Sequence, residues 1–321
     1  MVVRELGPIE NMQYTDLPSR DLEPGEVRIR VRGAGLNFPD ILMIKGTYQH
    51  KPPLPFVPGM EGAGEVLEVG GAVQDIAPGD RVMMQRKGGL YAEESIVQAH
   101  QTVPLPPEWD FAEGAAFWSA YVTAYVSLVE RGKLQRGETL LVHGAAGGVG
   151  LAAVELGAAL GANVIAVVGS DAKAATVREK GAAHVIDHRT ENFRDRVMEI
   201  TDGQGAEVIY DPVGGDVLFQ SLRSIAWGGR LLVVGFASGT IPDVPANYAL
   251  LKSCSVIGVR AGEFTRKEPA ARDRMMECVL ALAAEGRVRP TVYRRFPLSQ
   301  AVDALKVIAN REVIGKVVLE P

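Results

Sequence analysis

The stretch that decides the fold is Thr139-Leu140-Leu141-Val142-His143-Gly144-Ala145-Ala146-Gly147-Gly148-Val149-Gly150. It begins as an apolar run, which is typical of a buried strand, and it continues into the helical pattern Leu151–Leu156. A strand, a glycine-rich turn and a helix form a dinucleotide-binding unit, because backbone N–H groups and the positive end of the helix face the pyrophosphate. We predict that the turn contacts a nucleotide through Gly144, Ala146, Gly147, Gly148 and Val149.

The same glycines would also suit a tight turn between any strand and any helix. The next apolar run, Asn163–Val168, follows at the distance that a second parallel strand requires. This succession favours the nucleotide-binding interpretation.

The composition is that of an ordinary globular protein, with 321 residues, 47% hydrophobic and 23% charged. This length predicts two domains, each with its own core. The net charge of -5 argues against nucleic acid or an anionic membrane as the main partner. No apolar stretch reaches the roughly 18 residues of a membrane span. The first residues, Met1–Leu6, have no signal-peptide layout and look like a first strand, so we expect a cytoplasmic protein.

The pattern of the sequence changes near Trp118. Before it, short alternating runs such as Glu26–Arg32 predict a mostly antiparallel, barrel-like β domain. After it, strands and helices alternate up to the strand Ser255–Val259, which predicts a parallel, doubly wound sheet. Because the tail returns to complete the first domain, we assign residues 1–122 and 265–321 to the β domain and residues 123–264 to the nucleotide domain.

Four motifs resemble the medium-chain dehydrogenase/reductase superfamily, and specifically its zinc-free quinone oxidoreductase branch, over essentially the whole chain. They are Gly35–Asp40, Pro58–Gly64, the glycine turn and Gly315–Leu319. The resemblance implies an α/β fold with a Rossmann-type doubly wound parallel sheet and a GroES-like, mostly antiparallel β-barrel domain. It also implies a reaction site in the cleft between the domains, and a homodimer paired through the edge strand 255–259.

No metal site is predicted. Alcohol dehydrogenases of the superfamily carry a cysteine where this chain has Asn37 and a histidine where it has Met60, and neither residue is a plausible zinc ligand. The two cysteines and five histidines show no ligand spacing. Without a Lewis acid, we expect hydride delivery to an acceptor that is already electron-poor, such as a quinone or a conjugated enone.

The end of the second strand of the nucleotide unit bears on the choice of cofactor. NAD sites usually carry an acidic residue there, whereas this chain has Gly169 and Ser170, with Lys173 one helical turn further on. In the family, the matching residues hold the 2′-phosphate of NADPH, so we predict NADPH. The carboxylate of Asp171 would repel this phosphate unless it points outward. The alternative is that Ser170 only caps a helix and Lys173 is solvated.

The resemblance implies further site residues. It places Asn37 and Asp40 at the reaction site, to which we add Tyr48 as a residue that lines the substrate pocket, and it places Thr123, His188, Phe236, Ser238 and Arg311 at the cofactor. Asn37 could hydrogen-bond an oxyanion that develops on the acceptor. Each of the first three also has a structural interpretation: a buried amide that holds a loop, a helix cap, and a tyrosine that covers apolar surface.

We therefore predict an NADPH-dependent quinone oxidoreductase that acts on a small-molecule acceptor. Two alternatives stay open. An NADPH-dependent enoyl or enone reductase carries the same motifs, and a basic pocket mouth formed by Arg260, Arg266 and Lys267 would favour it. A nucleotide-binding protein without turnover is the third class.

Overall fold

The computed structural model describes Met1–Pro321 and contains thirteen strands and eleven α-helices. The strands are β1 (Glu26–Gly35), β2 (Glu61–Val69), β3 (Arg81–Gln85), β4 (Glu94–Gln98), β5 (Thr102–Pro104), β6 (Thr139–Val142), β7 (Asn163–Val168), β8 (His184–Asp187), β9 (Ala206–Asp211), β10 (Ile225–Val233), β11 (Ser255–Gly258), β12 (Val292–Pro297) and β13 (Lys316–Glu320). The helices are α1 (Phe38–Ile44), α2 (Phe111–Ala115), α3 (Trp118–Tyr125), α4 (Gly148–Ala159), α5 (Asp171–Glu179), α6 (Phe193–Ile200), α7 (Asp216–Ser224), α8 (Ala246–Lys252), α9 (Ala261–Lys267), α10 (Pro269–Ala284) and α11 (Ala301–Ala309). None of these helices combines the length and the apolarity that crossing a membrane requires.

The chain divides into two compact units, Met1–Ser119 with Pro290–Pro321, and Ala120–Arg289. This division differs from the predicted one, because residues 120–122 and 265–289 lie in the second unit rather than the first. The reason is the position of α10, which packs against α9 and brings Cys278 to Tyr125. The chain returns to the first unit only after this helix.

The first unit is built on a seven-stranded sheet with the order β12-β13-β1-β2-β3-β5, in which β4 also pairs with β1. All of these pairs are antiparallel except β12 with β13, so the mostly antiparallel character is confirmed. The strand order is an open path, and the pairing does not close a barrel. The predicted first strand is reduced to isolated bridges of Val2 and Val3, because their partners Gln13 and Phe56 lie outside the strands.

The register of the first sheet brings three distant segments to one point. Gly35, the last residue of β1, lies opposite Glu61 of β2 and opposite Val318 of β13. The antiparallel direction of β1 and β13 then places Lys316 beside Asn37, two residues beyond the end of the pairing. Asn37, Glu61 and Lys316 therefore meet where β1 ends.

The second unit contains a six-stranded sheet with the order β11-β10-β9-β6-β7-β8. All five strand pairs are parallel, and helices connect successive strands, so the predicted Rossmann-like sheet is confirmed. The central strand β6 is almost entirely apolar and buried, as expected for a parallel strand covered on both faces. Strand β11 lies at the edge, as the sequence predicted.

The glycine turn between β6 and α4 depends on a very close approach of backbone to backbone. Gly144 has a φ of +56°, which glycine adopts readily. A Cβ atom on Gly150 would lie 2.2 Å from the carbonyl oxygen of Gly144. Only hydrogen fits in that space, so Gly150 allows the first turn of α4 to lie directly against the loop.

We predict that Gly150→Ala lowers the free energy of unfolding by at least about 2 kcal/mol, because the added methyl group overlaps rigid backbone. Urea denaturation followed by circular dichroism measures the change. The matched control is Gly262→Ala in α9, where an added Cβ has no heavy atom within 4 Å. There we expect unchanged stability or a gain of up to about 1 kcal/mol from helix propensity. Equal losses at both glycines would contradict the role assigned to the close approach.

Candidate functional site

The turn after β6 offers backbone N–H groups rather than side chains. Gly147 precedes α4, and no side chain caps this helix of 12 residues. The positive end of α4 therefore lies at the turn. Of the residues predicted to contact a nucleotide, Gly144 is exposed, Gly147, Gly148 and Val149 are partly exposed, and Ala146 is buried. The geometry is that of an anion site.

The ends of the neighbouring strands β7 and β8 bring together three of the predicted cofactor residues. A Cβ atom on Gly169 would lie 2.6 Å from Nε2 of His188, so the imidazole ring lies directly against this glycine. Ser170 follows Gly169 and caps α5, where its Oγ accepts a hydrogen bond from the Lys173 N–H at 3.3 Å. The capping role expected for Ser170 is therefore observed, one residue after the glycine that contacts the His188 ring.

The charged side chains near the ends of β7 and β8 determine which ligand this part of the structure can hold. Burial lowers the pKa of the Lys173 ammonium, whose side chain is partly buried at the start of α5. The Asp171 carboxylate is fully exposed and lies 3.6 Å from the guanidinium of Arg189. Asp171 thus points outward, which answers the objection that the sequence raised. Arg189 was not predicted from the sequence, although a basic residue directly after His188 could have indicated it.

The loop after β10 packs on the loop after β9. Asp211, which is buried, accepts hydrogen bonds from the N–H groups of Val213 and Gly214 at 2.8 and 3.0 Å. Burial raises the pKa of this carboxyl, against the effect of the two hydrogen bonds. The Phe236 ring lies against Gly214, and the Ser238 N–H donates to the Val213 carbonyl at 2.9 Å. The structure therefore joins these two predicted residues in one packed loop.

The remaining predicted cofactor residues occupy other places. Thr123 is partly exposed on α3, and its carbonyl accepts a hydrogen bond from the Ser127 hydroxyl at 2.6 Å. Arg311 belongs to the first unit, where it follows α11 with a φ of +60°. Its contact with a cofactor stays a prediction.

In the first unit, Asp40 is part of a buried cluster of hydrogen-bonded polar side chains. One of its oxygens, Oδ2, accepts hydrogen bonds from the Asn37 N–H and the Tyr91 hydroxyl, each at 2.9 Å. Burial raises the pKa of the Asp40 carboxyl from 3.8 to about 6. Burial, together with the charge of Asp40, also raises the pKa of Tyr91 well above its usual value. Asp40 therefore caps the start of α1 and fixes Tyr91.

Lys316 is the cation of the same cluster. Its ammonium donates to three oxygens at 2.7 Å: the Leu36 carbonyl, Asn37 Oδ1 and Glu61 Oε1. Glu61 is completely buried, and its other oxygen accepts the Ser119 N–H at 2.8 Å. Asn37 closes the ring by donating from Nδ2 to Glu61 Oε1 at 2.9 Å. Neither Glu61 nor Lys316 was predicted from the sequence as a site residue, although each is the one charged residue of its motif, Pro58–Gly64 or Gly315–Leu319.

This cluster accounts for two of the three residues predicted at the reaction site. The Asn37 amide holds the loop at the end of β1, and Asp40 caps α1, so both structural interpretations are observed. Tyr48 is half-buried after α1, with its N–H donating to the Leu42 carbonyl at 3.1 Å. A direct role of these residues in a reaction stays a prediction.

Three buried polar atoms near the cluster have no hydrogen-bond partner in the protein. They are Trp118 Nε1, Ser119 Oγ and Asp40 Oδ1. Buried polar groups of this kind are usually satisfied by water or by a ligand. These three atoms are therefore hydrogen-bonding groups that the protein itself leaves unsatisfied.

Comparison with known proteins places these features in context. Residues 23–107 match the family model described as the alcohol dehydrogenase GroES-like domain, and residues 148–281 match the one described as zinc-binding dehydrogenase. A quinone oxidoreductase-like protein 2 homolog of Nematostella vectensis is 41% identical over 94% of this chain and 83% of its own length.

Solved structures show the same similarity. The Escherichia coli quinone oxidoreductase in complex with NADPH is 31% identical, with a TM-score of 0.91 over 100% of this chain and 99% of that chain. The CurK enoyl reductase is 26% identical, with a TM-score of 0.90 over 99% of this chain and 97% of that chain.

The residues present do not fit the zinc ion that one family description names. No group of three or more His, Cys, Asp or Glu side chains is placed to hold a metal. Around Glu61 and Asn37, the oxygens that could face a cation are already bonded to the Lys316 ammonium. A zinc ion would have to displace a buried ammonium that has three short hydrogen bonds.

Asp40 leads to a prediction about pH. Its carboxyl has a higher pKa in the folded than in the unfolded protein, so its stabilising effect is complete below about pH 4 and is lost as the pH rises through about 6. Asn at this position keeps an acceptor oxygen and does not titrate. We expect Asp40→Asn to gain about 2 kcal/mol of unfolding free energy relative to wild type between pH 4 and pH 8. Urea denaturation at a series of pH values measures this gain.

Asp110 serves as the control, because the charge and hydrogen bond of Arg295 and the backbone N–H of Glu113 help to lower its pKa against the effect of burial. Asp110→Asn should therefore lose stability relative to wild type as the pH rises. Parallel profiles for wild type and Asp40→Asn would refute the assignment.

Proposed function

Because the chain belongs to the quinone oxidoreductase branch of the medium-chain dehydrogenase/reductase superfamily, we propose that it is a zinc-independent reductase that transfers a hydride from NADPH to a quinone. The observation that carries the proposal is the group of residues at the ends of β7 and β8. It contains the hydroxyl of Ser170, the lysine Lys173 and the imidazole of His188. Of its two carboxylates, Asp171 is turned to solvent and Asp187 is paired with the Arg189 guanidinium.

This group suits a 2′-phosphate. Ser170, Lys173 and His188 would hold it, since a dianion favours cationic and hydroxyl donors at a helix start. An NAD site would instead present an acidic side chain to the ribose hydroxyls. The turn at Gly147 and the positive end of α4 would hold the pyrophosphate. NADPH, when bound, supplies the hydride.

The chain's own residues limit the kind of acceptor. No side chains are arranged to hold a metal that could polarise an alcohol. A quinone or a conjugated enone needs no such activation, because its carbonyl groups already withdraw electrons. The similarity to the CurK enoyl reductase favours an enone or enoyl thioester as the second candidate.

We further propose a homodimer through β11. This strand forms the edge of the second sheet, and an open edge invites pairing with another strand. Large apolar side chains of the same unit are exposed, among them Trp227 at 75% and Leu250 at 80%. Exposed apolar groups of this size commonly mark an interaction surface.

The experiment mixes metal-free protein with NADPH or NADH and follows the loss of cofactor absorbance with 1,4-benzoquinone, 9,10-phenanthrenequinone and crotonyl-CoA. We expect rapid NADPH oxidation with the quinones and little with crotonyl-CoA. Turnover with crotonyl-CoA alone would identify an enoyl reductase. Tight NADPH binding without turnover on any acceptor would identify a nucleotide-binding protein.

The choice of cofactor yields a separate prediction. Lys173→Ala should raise the Kd for NADPH about 10- to 100-fold, because a charge-assisted hydrogen bond of about 1.5–3 kcal/mol is lost. The Kd for NADH should change less than about twofold, since NADH lacks the phosphate. Fluorescence titration measures both constants. The control is Arg178→Ala, an exposed cation in the last turn of the same helix, which should leave both constants unchanged.

A further inference from the structure

The Lys316 ammonium has no N–H left for a ligand. Its side chain is 6% exposed, and its three donors bond to three oxygens at 2.7 Å. An ammonium has three N–H donors and no acceptor, so its hydrogen-bonding capacity is complete. Whatever Lys316 contributes to chemistry must act through the groups that it contacts.

The group that Lys316 orients is the side-chain amide of Asn37. The amide oxygen faces the ammonium, which only donates, and the amide nitrogen faces the Glu61 carboxylate, which only accepts. The amide therefore cannot exchange its oxygen and nitrogen by rotation. The second Nδ2 hydrogen has only the Gly35 carbonyl, at 3.4 Å, which is a weak contact.

We propose that Lys316 is a positioning residue that takes the place of a catalytic metal ion. Its charge holds and polarises the Asn37 amide, and the second Nδ2 hydrogen donates to the carbonyl oxygen of the acceptor. Alcohol dehydrogenases of the superfamily have a cysteine at the position of Asn37, and here a buried ammonium contacts that position instead. The inference rests on the proposed function, because it concerns the acceptor of the same reaction.

The hydrogen bond from Asn37 acts on the oxygen that becomes negatively charged during hydride transfer. The hydride brings its electron pair to the conjugated acceptor, the carbonyl π electrons move to the oxygen, and NADPH is oxidised. Asn37 stabilises the anion without giving up its proton, which water then supplies. The hydrogen bonds run from the Lys316 ammonium to the Asn37 amide and from the amide to the anion. Because each polar group polarises the next, the hydrogen bond between Asn37 and the anion is strengthened.

Two variants separate this role from a purely structural one. Lys316→Met alone leaves the Glu61 carboxylate buried and unpaired, which impairs folding. The double variant Lys316→Met/Glu61→Gln removes both charges and leaves an amide of similar size. We expect it to fold with a Tm near that of wild type but to show a kcat lower by about 10- to 100-fold. The KM for the acceptor and the Kd for NADPH should change less than about twofold, because the interaction belongs to the transition state.

The control is Arg295→Met on β12, which removes an exposed cation paired with Asp110 and Glu320 from the same sheet. Its kcat should equal that of wild type. A folded double variant with wild-type kcat would overturn the proposal, since Lys316 would then serve stability alone. A loss that appears only in KM would also overturn it.

A second readout needs no turnover, so it separates failure of this inference from failure of the proposed function. The anion of 4-nitrophenol, a phenolate oxygen on a conjugated ring, mimics the charged acceptor. With NADP⁺ present, we expect wild type to lower the apparent pKa of the phenol, followed by its visible absorbance, and the double variant to lower it less. The inference would be overturned if the apparent pKa of the phenol were the same with both proteins, or if wild type did not lower it.

Discussion

The ion pair between Lys316 and Glu61 joins parts of the chain that are far apart in sequence. Glu61 begins β2, Lys316 begins β13, and both touch the loop that follows β1. A buried ion pair of this kind contributes modest net stability, but removing one partner costs about 3–5 kcal/mol because the other charge stays buried. The ladder between β1, β2 and β13 therefore has one favourable register at this end, the one in which the two charges meet.

The consequences reach the helix that follows. Asn37 is tied to both charges, and its N–H is tied to Asp40, which in turn fixes Tyr91. Five polar side chains and a backbone turn thus form one network, although they come from separate segments. A network in which nearly every donor and acceptor is used holds its members rigidly. Rigidity is what a site needs if an amide is to face a charge that exists only during a reaction.

The second unit was predictable from the sequence because its signals are local. The strand, glycine turn and helix around Gly147 follow one another directly, and the end of β7 is marked by Gly169 and Ser170. The first unit was less predictable, since the meeting of Asn37, Glu61 and Lys316 depends on the register between distant strands. The assignment of residues 265–289 differed for a related reason: the sequence shows that α10 exists but not which core it packs against. The direction in which the Asp171 carboxylate points could be determined only from the structure, by its exposure and its proximity to Arg189.

The placement of Lys316 on β13 also affects the order in which the protein can fold during synthesis. Residues 120–289 form one uninterrupted unit, and all of its strands are available before residues 290–321 are made. The first unit lacks β12 and β13 until then, and the carboxylate of Glu61 has no buried cation to meet. All residues of the nucleotide-binding unit are therefore synthesised before the last two strands of the first unit.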